Sequence, residues 1–137
     1  MDAFDADVLI YAAKPGHLIG ASVARLFAEA TRDGEATAGI GSVLLLPELM
    51  SKPLRQGPPQ EVERLADLLA KIELIACDES IARLATQLGA DLRLRAADAV
   101  HLATAVNAGA DRFLTNNQRD FPKSIDAIQI VYPEDLA

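Results

Sequence analysis

Short apolar runs alternate along this chain with longer stretches whose apolar side chains recur at helical spacing, which is the pattern of strands alternating with helices. The clearest helix is predicted over residues 18–32, where apolar positions face one side and Arg25 and Glu29 the other. Further helices are predicted over 43–52, 60–71, 78–88 and 95–108, and strands over 3–11, 36–40, 72–76, 111–115 and 127–131. This order predicts an α/β fold of three layers, α/β/α, with a mostly parallel central sheet of about four to five strands.

Capping and turn residues set the expected ends of these elements. Ser42 and Asp78 are expected to cap the helices that follow them, and Gly34, Gly89 and Gly109 to end the helices that precede them. Pro53, followed by Gly57, Pro58 and Pro59, marks an expected break. No repeat or linker interrupts the sequence, so residues 1–137 are expected to form a single domain.

Composition narrows the possible classes of function. Half of the residues are hydrophobic, but the longest apolar run is too short to span a bilayer, so no membrane association is expected. The beginning does not resemble a basic signal peptide, and Cys77 is alone, which makes the cytoplasm the expected location. The net charge of −7 argues against nucleic-acid binding by bulk charge. The negative charge argues less against a nuclease. A catalytic carboxylate cluster would account for part of the charge, and a bound divalent cation would make the electrostatic potential at that cluster positive.

Acidic residues placed in apolar surroundings are the main clue to function. Asp5 and Asp7 belong to the first apolar run, Glu48 and Asp98 lie near the start of predicted helices, and Asp120 follows the fourth strand. Ligands collect at the carboxyl ends of parallel strands, so these acids are expected to face one crevice. Carboxylate oxygens there would bind Mg²⁺ or Mn²⁺, and such a cation supports phosphodiester hydrolysis by polarising the phosphate and activating water.

Four segments in this order resemble those of PIN domains. They are Asp5–Ile10, Leu46–Leu49 around Glu48, Ala97–Ala105 around Asp98, and Phe113–Phe121 around Asn117. The small single-domain form is similar to the VapC-type toxins of bacterial and archaeal toxin–antitoxin pairs. That resemblance implies an endoribonuclease dependent on Mg²⁺ or Mn²⁺, usually dimeric, with a cognate antitoxin as partner and RNA as substrate. It also implies that cleavage leaves a 5′-phosphate and a 3′-hydroxyl.

The resemblance carries individual roles onto this chain. Asp5, Glu48 and Asp98 match acidic positions and are expected to bind the cation, whereas Asn117 stands where the fourth catalytic acid is commonly Asp. Asp7, Thr115 and Asp120 are expected to support the site. Arg93 and Arg95, which precede the helix of Asp98, are candidates for gripping RNA phosphates. His101 is expected to be a packed or hydrogen-bonded side chain rather than a catalytic one.

Two alternatives to the nuclease stay open. Asn117 and the acidic surface favour a PIN-like binding module that has lost efficient catalysis. The spacing of Asp5 and Asp7 also fits a phosphohydrolase of the haloacid-dehalogenase type. That alternative ranks low, because such enzymes need a catalytic lysine and none lies between Lys71 and Lys123.

Overall fold

The protein is described by a computed structural model over residues 1–136, and within them five parallel strands form one sheet flanked by six α-helices. The strands are β1 (Asp2–Phe4), β2 (Gly39–Ser42), β3 (Ile72–Ile75), β4 (Arg112–Leu114) and β5 (Gln129–Val131). The helices are α1 (Ala6–Ala12), α2 (Leu18–Arg32), α3 (Leu45–Gln56), α4 (Pro59–Leu69), α5 (Glu79–Leu92) and α6 (Ala96–Asn107), with a 3₁₀ helix at Pro133–Leu136. The predicted α/β/α fold with a parallel sheet is confirmed.

The two faces of the sheet bury separate cores, because neighbouring residues of a strand point in opposite directions. Phe4 and Leu114 pack among the apolar side chains of α1 to α4 on one face. Ala3 and Phe113, each one residue earlier in the same strands, pack on the other face against Leu102 of α6. Helices on both faces explain why neighbouring residues of β1 and β4, such as Ala3 and Phe4, are both buried. Along the described residues, no helix has both the length and the apolar character to cross a membrane.

The first apolar run was predicted as one strand over residues 3–11, and this prediction is wrong beyond Phe4. The strand ends at Phe4, and Asp5 then caps helix α1 by accepting a hydrogen bond from the backbone N–H of Ala6 at 2.8 Å. Val8 and Leu9 are fully buried on this helix. A short apolar run is compatible with either a strand or a buried helix, so the capping carboxylate decides the outcome here.

The second strand and the helix after it lie further along the chain than predicted. Strand β2 begins at Gly39 and ends at Ser42, which is therefore not the residue that caps α3. Pro47 fits in the first turn of α3, where its missing N–H would have no helical partner. Pro53 lies inside the helix and does not end it. The helix ends at Gly57, where a Cβ would lie 2.8 Å from Pro53 Cα.

The predicted end of α5 at Gly89 is also wrong. The helix continues to Leu92, and Arg93 then adopts the left-handed conformation with φ of 57°. A Cβ at Gly89 would lie 3.5 Å from the Cβ of Ala99, so this glycine sits where α5 packs closely on α6. The predicted cap at Asp78 is confirmed, as are the glycines that end α2 and α6, Gly34 and Gly109, which both have positive φ.

The strand order creates a natural place for a site. Along the sheet the order is β3-β2-β1-β4-β5, so the chain moves from β1 in one direction to β3 and then returns to place β4 on the other side of β1. Connections therefore leave β1 and β4 in opposite directions, which opens a crevice beyond the carboxyl ends of these two strands. Asp5 follows β1 directly and Thr115 follows β4 directly.

Candidate active site

Asp5 and Thr115 meet at this switch point. Asp5 is 5% exposed, and its Oδ2 accepts a hydrogen bond of 2.8 Å from the Thr115 hydroxyl. Its other oxygen accepts from Ala6, and its own N–H donates to the carbonyl of Leu114 at 2.9 Å. The Asp5 carboxylate is therefore held in one orientation by groups from both central strands. The contact gives Thr115 the role of orienting the Asp5 carboxylate.

Asp7 places a second carboxylate in the first turn of α1. Its Oδ2 accepts a hydrogen bond of 3.0 Å from the backbone N–H of Asn116, which ties α1 to the turn after β4. Its Oδ1 is buried and, among residues 1–136, has no hydrogen-bond partner. A buried carboxylate oxygen without a donor is costly, so this atom is suited to receive a cation or a proton.

Asn117 and Asp120 close the turn after β4. The Asn117 side-chain amide donates to Asp120 Oδ2 at 2.9 Å, and the backbone N–H of Asp120 donates to Asn117 Oδ1 at 3.2 Å. The backbone N–H of Asn117 also donates to the Thr115 hydroxyl oxygen at 3.1 Å. A continuous hydrogen-bond chain therefore connects Asp5, Thr115, Asn117 and Asp120. The Asn117 amide donates a hydrogen bond to the neighbouring acid Asp120, and an ionised carboxylate at this position could not donate one.

Glu48 and Asp98 approach from the two layers of helices. Glu48, in the first turn of α3, has a side chain 35% exposed, and its Oε1 lies 2.9 Å from Nε2 of His101 on α6. Asp98 lies in the first turn of the same helix, where the helix dipole favours a negative charge. The expectation that His101 is packed and hydrogen-bonded is confirmed, since the residue is 2% exposed.

The acids share one electrostatic environment. Burial raises the pKa of Asp5, and burial together with the charge of Asp5 raises the pKa of Asp7 to about 7. Burial also raises the pKa of Asp98, and the charges of Asp120 and Glu48 raise it further. The ionised forms of Asp5, Asp7 and Asp98 are thus disfavoured first by burial and then by neighbouring acids, and a bound divalent cation would relieve both effects.

The donor set fits a hard divalent cation. It consists of carboxylate oxygens, including the unpartnered Oδ1 of Asp7, and these are the ligands that Mg²⁺ and Mn²⁺ prefer. Across residues 1–136 no three His, Cys, Asp or Glu side chains are already gathered closely enough to hold a metal ion. Both oxygens of Asp5, and one oxygen each of Asp7 and Glu48, form hydrogen bonds with protein groups. Asp7 Oδ1 is the buried oxygen that is left without a partner among residues 1–136.

Arginines line one edge of the site. A groove of about 370 Å³ beside Asp120 is lined by Arg93 and Arg119, and the Arg119 side chain is 90% exposed. Arg95 is the residue before α6, and its charge acts on Asp98 in the direction that lowers the pKa of that acid. Arg119 was not among the residues predicted from the sequence. Its position five residues after β4, directly before Asp120, was the available signal in the sequence.

A parallel sheet between two layers of helices, with a buried acid directly after β1 at its switch point, is typical of proteins that bind ligands at the carboxyl ends of their strands. Within that class the chain belongs to the PIN domain family, because the family's sequence profile matches residues 3–125. Membership of this family replaces the haloacid-dehalogenase alternative. No curated protein matches the chain.

Solved structures with the same fold include three toxin–antitoxin assemblies. A toxin–antitoxin complex from Klebsiella pneumoniae is similar with a TM-score of 0.66 and 22% identity, covering 97% of this chain and 98% of that one. VapBC2 from Rickettsia felis, bound to a DNA fragment from its promoter, gives a TM-score of 0.72 and 18% identity, covering 96% and 97%. DNA-bound VapBC from Salmonella typhimurium gives 0.74 and 20%, with the same coverage. At these identities the likeness establishes the fold.

Proposed function

We propose that this protein is a divalent-metal-dependent endoribonuclease and the toxin of a toxin–antitoxin pair. The observation that supports this most is the buried Asp5 carboxylate, which is fixed at the switch point of a PIN domain among acids that raise one another's pKa. Such a concentration of negative charge destabilises the metal-free fold, and acids perturbed in this way are typical of functional sites. Binding a cation and a phosphodiester is the use that the family and the donor set both favour.

The acids would bind the cation, and the neighbouring residues would hold those acids in place. Asp5, Glu48 and Asp98 would hold Mg²⁺ or Mn²⁺, and the bound cation would supply polarisation of the scissile phosphate and activation of water for attack. Thr115 keeps the Asp5 carboxylate oriented through the hydrogen bond of 2.8 Å. Asn117 orients Asp120 at the outer part of the site. Asp7 ties the turn after β4 to helix α1 through Asn116.

The arginine edge gives an acidic protein a local place for RNA. Arg93, Arg95 and Arg119 lie beside the acids, on a chain whose net charge is −7. Guanidinium groups bind phosphates through paired hydrogen bonds, so these three side chains would hold the phosphates next to the one that is cut. RNA binding would then depend on this edge and not on the overall charge.

The test of the activity is cleavage of a mixed RNA pool by purified protein in Mg²⁺, Mn²⁺ or EDTA. We expect cleavage only with a cation, and a fall in rate of at least about 100-fold in Asp5→Asn and Asp98→Asn. Asp33→Asn is the matched control, because it removes a carboxylate whose side chain is 65% exposed, at the end of α2 away from the site. Unchanged cleavage by folded Asp98→Asn would refute the assignment.

The arginine edge is tested separately by kinetics. Arg119→Ala is expected to raise KM while leaving kcat nearly unchanged. The slope of the logarithm of RNA affinity against the logarithm of salt concentration should also decrease by about the amount that one phosphate contact contributes. Arg83→Ala is the control, since Arg83 is also exposed on a helix and forms only an i,i+4 pair with Glu79. Equal KM values for the two variants would remove Arg119 from the proposed RNA path.

A second candidate function is a PIN-domain binding module with weak or no catalysis. Asn117 favours it, because its amide contributes no negative charge to the cation and is engaged with Asp120 at 2.9 Å. This candidate predicts weak or absent metal binding, folding that does not depend on a cation, and little or no cleavage by the wild type. A gain of cleavage in Asn117→Asp would then show that the missing carboxylate is the cause.

The proposed partner is a cognate antitoxin protein, and the chain is proposed to form a homodimer. The three assemblies with the same fold are toxin–antitoxin complexes. Leu18 on α2 and Leu54 on α3 are 92% and 67% exposed, so each offers an apolar contact to a partner. Light scattering on the purified chain measures the dimer. Co-expression with the product of an adjacent gene tests the antitoxin, which should suppress growth arrest and co-purify with this chain.

A further inference from the structure

His101 is a buried side chain for which the proposed chemistry gives no role. It lies three residues after Asp98 on α6, so the two side chains share one face of the helix. Its ring is 1% exposed, yet it reaches across to α3, where Nε2 lies 2.9 Å from Glu48 Oε1. The histidine ring is already fixed by packing, whereas the carboxylate is partly exposed. The hydrogen bond between them therefore restricts mainly the carboxylate.

The partner of Nε2 decides which ring nitrogen of His101 carries the proton. In the described part of the chain, Nδ1 is buried without any partner, so it is unpaired in either neutral tautomer. A proton on Nδ1 would leave the lone pair of Nε2 facing the Glu48 carboxylate at 2.9 Å, and two acceptors in that position repel each other. A proton on Nε2 instead donates to Glu48 Oε1. The ring is thus a one-way donor aimed at Glu48.

Glu48 needs such a constraint if it is to act at the site. Its side chain has three rotatable bonds and is 35% exposed, so holding it in one rotamer costs as much as about 1.5–2 kcal/mol of conformational entropy. The structure gives Glu48 no other side-chain hydrogen bond among residues 1–136. With Oε1 held by His101, Oε2 is left free on a carboxylate whose charge already acts on Asp98.

We infer that His101 is a positioning residue that holds Glu48 in the orientation needed to bind a divalent cation, an inference that rests on the function proposed above. The contact joins α6 to α3 and therefore couples the two helices that bring Asp98 and Glu48 to the site from opposite layers. Partners that hydrogen-bond a ligating carboxylate are worth about 10- to 100-fold in metal affinity.

The experiment measures Mn²⁺ affinity directly, from the signal of free Mn²⁺ in electron paramagnetic resonance titrations, with no RNA present. His101→Leu removes the donor while filling the apolar space, and is expected to weaken Mn²⁺ binding about 10- to 100-fold. His101→Gln places an amide N–H close to the position of Nε2 and is expected to restore affinity to within a few-fold of the wild type. Circular dichroism confirms that each variant is folded.

A double-mutant cycle with Glu48→Gln separates positioning from a general effect on the fold. If His101 acts through Glu48, adding His101→Leu to Glu48→Gln changes the Mn²⁺ affinity by less than about twofold. Full weakening in the double variant would overturn the inference, as would wild-type affinity in His101→Leu. A wild type that binds no Mn²⁺ overturns the proposed metal site itself, and the inference with it, so the two failures are distinguishable.

Discussion

Ionisation of Asp7 should make the fold less stable as the pH rises, and Asp7→Asn should remove much of that dependence. The pKa of Asp7 is raised from 3.8 to about 7, first by burial and then by the charge of Asp5. Because the folded state holds this proton more tightly than the unfolded chain, the stabilisation is complete below pH 3.8 and is lost by pH 7. A tenfold change in proton affinity corresponds to about 1.4 kcal/mol, which gives an upper bound of about 4 kcal/mol.

Solvent access to the rest of the Asp7 side chain reduces this bound, so we expect a difference of about 2 kcal/mol or more. In Asp7→Asn the amide oxygen still accepts from the Asn116 N–H, but the amide nitrogen replaces the unpartnered Oδ1. That nitrogen buries unpaired donors at a cost of about 1–3 kcal/mol, which is the same at every pH. The slope of the free energy of unfolding against pH therefore reports the ionisation of Asp7 alone. The free energy of unfolding at a single pH would also include the cost of the buried amide.

The assay is urea unfolding followed by circular dichroism at several values between pH 4.5 and 8.5, with EDTA present to exclude cations. The free energy of unfolding of the wild type should fall across this range by about 2 kcal/mol more than that of Asp7→Asn. Asp33→Asn, which removes an exposed carboxylate, should keep the wild-type slope. Parallel lines for wild type and Asp7→Asn would show that the Asp7 carboxylate is not destabilised in the fold, and the reasoning would fail.

Three further outcomes are expected. Mg²⁺ at ten times its dissociation constant should raise the free energy of unfolding of the wild type at pH 8 by about 1.4 kcal/mol, and that of Asp98→Asn by less, in thermal unfolding scans. Thr115→Val strands one oxygen of the buried Asp5 and should cost about 1–3 kcal/mol in urea unfolding, while Thr115→Ser should cost less. Asn117→Asp replaces a donor 2.9 Å from Asp120 with a second carboxylate, so it should destabilise the metal-free fold and strengthen Mn²⁺ binding in titrations.

The fold was predictable to the level of layers and element order, because amphipathic helices give a strong periodic signal and short apolar runs lie between them. Helix α2 was predicted with its observed bounds, Leu18–Arg32. The errors fall where one local signal competes with another. The apolar run after Phe4 fitted both a strand and a helix, and Pro53 lies within a helix that proline usually ends.

The acids of the site were predictable because a carboxylate in apolar sequence is conspicuous. Asp5, Asp7, Asp98 and Asp120 all lie within electrostatic range of another acid of the set, although their catalytic roles stay predictions. The strand order was not predictable from the same pattern, since alternating strands and helices fit several orders. It is that order, with β4 beside β1, that makes the end of β1 a crevice.

The pairing between each donor and its acid was the part that the sequence could not supply, although Thr115 itself was expected to support the site. Thr115 lies 110 positions from Asp5, and His101 lies 53 positions from Glu48, so neither pair leaves a local pattern. Threonine after a strand and histidine on an alanine-rich helix both have ordinary structural explanations. What separates these two from such residues is that each directs its hydrogen towards one acid of the cluster while almost completely buried. A PIN domain's acids can thus be found from sequence order, whereas the groups that orient them are found only from the contacts between distant elements.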